Sequence, residues 1–250
     1  ASLNGWIKLN GAKEGEQVTV AIPALKIKQN ITYKDSITPF AISLPEVELW
    51  SDINPKRYEL IITAANDTLK EKVGFRKIEV SGNKILLNGQ PVFLRGICLH
   101  EEEAEEVRRA TSRKDALKLL GWAQELNCNF VRLAHYPHNE HMVQVADSLG
   151  ILLWAEIPVY WTIDFENPEV YQKAELQLKE MITRDRNRAC IIIWSVGNET
   201  PVSDSRTAFM KKLVQTSKRL DNSRLFSAAL EVHYNKNLNT IDDPLGAYTD

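Results

Sequence analysis

Four short stretches carry most of the reactive side chains in this 250-residue chain. They are Leu99-His100-Glu101, Arg132-Leu133-Ala134-His135-Tyr136-Pro137, Glu156-Ile157-Pro158-Val159-Tyr160-Trp161 and Trp194-Ser195-Val196-Gly197-Asn198-Glu199-Thr200. Each ends, or directly follows, an apolar run. Brought together they would gather two histidines, an arginine, carboxylates, an amide and several aromatic rings. Carboxyl groups can exchange protons with a reacting oxygen. Imidazole and amide groups can bond hydroxyls, and aromatic rings can cover the apolar faces of a pyranose. Such a mixture in one mouth suits a sugar site. Each residue also has a plain structural reading. Glu199 could sit at a helix start, favoured by the dipole. Asn198 could cap that helix. Arg132 could form an internal ion pair, and His100 and His135 could be satisfied structural histidines.

The elements that would bring the stretches together are legible downstream of residue 91. Apolar strands are expected at 92–98, 129–133, 151–157, 191–196 and 225–230. Helices alternate with them. Ser112-Arg113-Lys114-Asp115 has the form of a capping box before Ala116, Leu119, Leu120 and Ala123 on one face. A second helix covers 141–149 and closes at Gly150. A third starts at Asn167-Pro168 and runs to about 185. A fourth fills 204–220. Continuous apolar strands separated by helices imply a parallel sheet covered by helices. Reactive groups in such folds collect at the C-terminal strand ends. A closed eight-stranded barrel needs about 250 residues by itself. About 170 follow the first domain, so five of eight βα units are expected.

Upstream, short β-rich runs at 5–9, 17–22, 38–44 and 58–64 alternate with Gly15, Pro39, Pro45, Asn54-Pro55 and Asn66-Asp67. This spacing suggests an antiparallel sandwich over residues 1–76, with its first strand expected to be missing. Residues 77–250 form the second domain, opening with a hairpin over 78–91 that turns at Ser81-Gly82-Asn83 and again at Asn88-Gly89.

The net charge of -2 gives no reason to expect nucleic acid or an anionic membrane as partner. No apolar run approaches the length needed to span a bilayer, and no basic segment with a short apolar run opens the chain. Cys98, Cys128 and Cys190 lack CxxC spacing and read as buried small hydrophobes. The glutamates after Glu101 read as a solvated loop.

Several motifs in order resemble glycoside hydrolase family 2, the β-galactosidase and β-glucuronidase family. They are Gly74-Phe75-Arg76, Leu87-Asn88-Gly89-Gln90-Pro91, Arg95-Gly96 before His100-Glu101, Val131-Arg132 before His135-Tyr136-Pro137, Arg184-Asp185-Arg186-Asn187, and Ile193-Trp194-Ser195-Val196-Gly197-Asn198-Glu199. Leu49-Trp50-Ser51 resembles the family's immunoglobulin-like second domain. The resemblance implies such a sandwich followed by part of a TIM barrel, and hydrolysis of terminal β-linked glycosides with retention. It implies that Glu199 is the general acid/base and Asn198 the partner of the sugar 2-hydroxyl. Arg132 would orient the nucleophile, and His100, His135 and Glu156 would line the substrate pocket, with Tyr160 and Trp161 as a stacking platform. No organic cofactor is implied. The family's magnesium carboxylate is replaced by Tyr160, so no metal site is expected. Ala155 stands where the family has an acid, and Arg188-Ala189-Cys190 where His-Pro-Ser is usual. The family's nucleophile, a glutamate ending the seventh barrel strand, is expected downstream of this chain, which alone would then be inactive. The rival readings are a β-mannosidase-type specificity and a non-catalytic carbohydrate-binding or structural fragment.

Overall fold

The computed structural model describes residues 2–34, 37–65, 67–231 and 243–250. They divide into two compact units, one of residues 1–50 and 56–75, the other of residues 51–55 and 76–250.

The first unit contains β1 (Ser2–Ile7), β2 (Gln17–Ile22), β3 (Ile27–Thr32), β4 (Thr38–Ser43), β5 (Tyr58–Ala64) and β6 (Asp67–Val73). An antiparallel sheet of order β3-β2-β5-β6 and an antiparallel β1-β4 pair contribute to one core. Val18, Val20 and Ile22 alternate inward along β2 and meet Ile7, Ile42, Tyr58 and Leu60. The first strand lies at Ser2–Ile7 rather than 5–9. β3 and β6 were not anticipated. Both are sheet edges with mostly exposed polar side chains, so neither shows an apolar alternation.

The second unit opens with a three-stranded meander: β7 (Ile78–Ser81), β8 (Lys84–Leu87) and β9 (Gln90–Pro91). Asn88 and Gly89 both adopt positive φ, 54° and 80°, as a tight hairpin turn demands. Then come β10 (Gly96–Leu99), the small hairpin β11 (Glu102–Glu103) and β12 (Arg108–Arg109), α1 (Arg113–Glu125), β13 (Phe130–Leu133), α2 (Glu140–Leu149), β14 (Leu152–Glu156), α3 (Pro168–Asp185), β15 (Ile191–Thr200), α4 (Asp204–Leu220) and β16 (Leu225–Leu230). The five strands β10-β13-β14-β15-β16 pair in parallel, in sequence order. A helix follows each of the first four. Each uses the start signal its sequence carries: a capping box of Ser112 and Asp115, side-chain caps from Asn139 and Asn167, and Ser203 before α4. In α3, Ala174, Leu178, Met181 and Ile182 bury one face.

Four expectations are corrected. Residues 92–95 are not strand. The Asn129 side chain bonds Arg95 N and Phe93 O there, at 2.8 and 3.1 Å, in place of a neighbouring strand. β15 continues past Val196 to Thr200. Cys98 is exposed on the edge strand β10 and Cys128 is half-buried, so only Cys190 is a buried cysteine. The run after Glu101 is not uniformly solvated: Glu103 is buried and paired with Lys118, and Glu101 is buried against Arg109 and the backbone N–H of Asn139.

Ser51–Pro55 belongs to the second unit, so the Leu49-Trp50-Ser51 motif is divided between the two. Asp52 receives a hydrogen bond from Asn129 at 2.8 Å, and its carbonyl lies against Gly150. Gly150 has φ +78°, and a Cβ there would stand 2.4 Å from Asp52 O. Gly150→Ala should therefore lower stability by about 2 kcal/mol or more, from left-handed strain plus the backbone clash, as measured by urea unfolding. A second expectation concerns α1. Hydrogen bonds from Arg108, then Ser112, hold the Asp115 carboxyl well below the usual range. A depressed folded-state value stabilises above the unfolded value and is lost as pH falls. Asp115→Asn should be less stable than wild type at pH 7, with the gap closing below about pH 4 in thermal melts.

Candidate active site

The strand ends meet in a buried polar cluster built on β13, β14 and β15. In-register parallel pairing sets Arg132 beside Trp154, and Glu156 beside Ser195. Glu156 is fully buried. Its oxygens accept from Arg132 Nη2 at 3.0 Å each, from Arg132 Nε at 3.2 Å, from Trp154 Nε1 at 3.0 Å, and meet His135 Nδ1 at 2.7 Å. Burying a lone carboxylate is costly, and this one is tolerated because a cation and several N–H donors surround it. The Arg132 guanidinium also lies 5.0 Å from the Trp154 ring centroid and donates to Asn198 Oδ1 at 2.6 Å.

The end of β15 is held from the other side by the loop after β14. Asn198 N–H donates to Val159 O at 2.8 Å, and Trp161 N–H donates to Asn198 O at 3.1 Å. Tyr160 and Asn198 form a parallel bridge. Pairing between β15 and β16 shifts register on either side of Asn198. Gly197 packs closely here: a Cβ would lie 2.5 Å from Met210 Cε, at the mobile end of that side chain, and 3.1 Å from the backbone oxygen of Val159. Two residues on, Glu199 adopts φ +49° and turns outward into solvent. Its Oε2 accepts from Trp161 Nε1 at 3.3 Å. Trp161 is itself 64% exposed.

Every residue expected at the site falls in this region. Arg132, His135, Glu156 and Asn198 form one hydrogen-bonded group, and Trp161 bonds Glu199. His100 stands edge-on to His135 with ring centroids 5.4 Å apart, and Tyr160 lies 6.5 Å from His135 and 5.5 Å from Trp161. Asn198 does not cap α4; Ser203 does. Glu156, expected to contact substrate, has no exposed surface to offer. Two participants were not singled out: Trp154, which bonds Glu156, and Tyr136, whose hydroxyl lies 3.3 Å from His100 Nδ1. The Trp154-x-Glu156 spacing carried the first, since alternate strand residues share a face. Among the described residues no group of three or more His, Cys, Asp or Glu is arranged to hold a metal ion, and no helix is long and apolar enough to cross a membrane.

The family described as "Glycosyl hydrolases family 2, TIM barrel domain" matches residues 78–245. The chain is 34% identical over 209 residues to a β-galactosidase of Thermoanaerobacterium thermosulfurigenes, covering 79% of this chain and 28% of that protein. Among solved structures it is similar to Bacteroides uniformis β-glucuronidase 3, with TM-score 0.79 and 28% identity over 91% of this chain and 30% of that one. It is also similar to a β-galacturonidase from Eisenbergiella tayi, with TM-score 0.83 and 25% identity over 99% and 45% of the two chains. The chain belongs to glycosyl hydrolase family 2. It spans 19% to 34% of the length of eight curated relatives that it matches.

The cluster makes a stability prediction. Arg132→Ala strands the buried Glu156 charge and should lower stability by about 3–5 kcal/mol in denaturant unfolding. Tyr160→Ala, at an exposed position, should change it by less than about 1 kcal/mol.

Proposed function

We propose that the protein containing this chain hydrolyses terminal β-linked glycosides with retention of configuration, using Glu199 as general acid/base. The observation that carries the reading is the meeting of Glu199, Asn198, Arg132 and two histidines at the C-terminal ends of adjacent parallel strands. In this reading residues 1–76 are an immunoglobulin-like sandwich, and residues 77–250 the first five βα units of the catalytic barrel.

Each residue has a derivable part. Glu199 protonates the leaving glycosidic oxygen and later takes a proton from water. Trp161 steadies its carboxyl while leaving it open to solvent and ligand. Arg132 can only donate, so the Asn198 atom it meets is the amide oxygen. The Asn198 NH2 group then points elsewhere as a donor, suited to the oxygen of a sugar 2-hydroxyl. Arg132 Nη1 has no protein partner among the described residues, and it would hold the second carboxylate. Retention requires that carboxylate about 5–5.5 Å from Glu199, and no residue of this chain is assigned to it. Tyr160 and Trp161 offer ring faces for stacking on a sugar.

The test is turnover of aryl β-glycosides by the full-length protein and its Glu199→Gln variant. Loss of general-acid catalysis should lower kcat/KM by about 10²–10⁴-fold on substrates with poor leaving groups. The loss should be much smaller on substrates whose leaving group departs without a proton. An equal rate for variant and wild type on every substrate would remove Glu199 from the mechanism.

A further inference from the structure

Glu156 is sealed from solvent, yet it reaches a residue that is not: the half-buried His135. Two groups compete for His135 Nδ1. Glu156 Oε1 lies 2.7 Å away and Arg132 Nη2 lies 3.3 Å away. They require opposite protonation states. A guanidinium only donates, so a bond from Arg132 needs a bare nitrogen. An ionised carboxylate only accepts, so a bond to Glu156 needs Nδ1–H. The contact to the carboxylate is shorter and meets a full charge, so it dominates. A doubly protonated ring would set two cations on one buried carboxylate. Arg132 already neutralises that carboxylate, so a second positive charge would be left uncompensated. The neutral ring with its proton on Nδ1 keeps the shorter bond to Glu156 without adding a second cation, and gives up only the longer contact to Arg132. Its Nε2 then lies on the far side of the ring as a bare acceptor, with no protein partner among the described residues.

His100 is set the other way. The Tyr136 hydroxyl oxygen accepts from Glu101 N–H at 3.3 Å and lies 3.3 Å from His100 Nδ1. The hydroxyl could accept a second bond from Nδ1–H or give its own proton to Nδ1; the second arrangement, which we assign, leaves the His100 proton on Nε2. The two rings stand edge to face, at 83°.

We propose that Glu156 is a positioning residue that locks His135 in its Nδ1–H tautomer, so that His135 Nε2 accepts and His100 Nε2 donates a hydrogen bond toward a bound ligand. Resting on the glycosidase reading for the identity of that ligand, the pair selects a sugar hydroxyl. A hydroxyl donates to one ring and accepts from the other. A carboxylate only accepts, and it would face the His135 lone pair with nothing to give.

The experiment is a two-bond ¹⁵N–¹H correlation spectrum of the imidazole-labelled full-length protein at about pH 8, where unpaired histidines are neutral. His135→Gln and His100→Gln assign the two histidines that matter. The expected result for His135 is a protonated Nδ1 and a bare Nε2, with the reverse for His100. Free neutral histidine prefers Nε2–H, so incidental packing around His135 would not produce its expected pattern. An Nε2–H form, an even mixture or an imidazolium at His135 overturns the proposal. In Glu156→Gln, Arg132 becomes the charged partner of Nδ1, and the His135 pattern should move toward Nε2–H. A folded variant with an unmoved pattern removes Glu156 from the role. Should that variant fail to fold, the wild-type spectrum alone decides. Absence of glycoside turnover by the full-length protein would sink the glycosidase reading and leave the tautomer result untouched.

Discussion

The fully buried carboxylate of Glu156 is the constraint around which the strand ends are arranged. A charge removed from water must find its compensation inside the protein, and here each donor comes from a defined place. Trp154 sits two residues earlier on the same strand face. Arg132 comes from the neighbouring strand, and His135 from the turn just beyond it. Because Arg132 also holds Asn198, three consecutive strands are tied through one guanidinium. A slip of one residue in β13 or β14 would turn Arg132 or Glu156 toward the opposite face and leave a charge unpaired.

The second restraint works on backbone rather than charge. Val159, Tyr160 and Trp161 extend the pairing of β14 with β15 beyond its regular end, through bonds to Asn198 on both its N–H and C=O. The exposed rings of Tyr160 and Trp161 are therefore carried on a segment whose main chain is tied down. Exposed rings on an anchored backbone have less conformational freedom to lose when a ligand settles on them.

Much of this was legible in the sequence, for identifiable reasons. The helices announced themselves through Ser112, Asn167-Pro168 and Gly150, which act locally. The buried strands around Leu153 and Ile192 read as apolar runs because both faces are covered. β3 and β6 were illegible because edge strands need no apolar alternation. Residues 92–95 misled because Val92, Phe93 and Leu94 look like a strand, while the partner that claims their backbone, Asn129, lies more than thirty positions away. Cys98 was misjudged because its apolar neighbours say nothing about being on an edge. At the site, residue types at strand ends were readable, but partners were not. That Glu156 is consumed by protein donors depends on the register of three strands, which no local pattern encodes.

The left-handed backbone at Glu199 carries an evolutionary consequence. A side chain with a Cβ in that conformation costs about 1–2 kcal/mol, while glycine fits freely and asparagine nearly so. Substitution by glycine or asparagine would thus relax the backbone and abolish the carboxyl together. Mutational drift unopposed by selection for the proposed acid/base role would slide toward a more comfortable protein without that carboxyl. A glutamate here persists only while something outside the fold requires it.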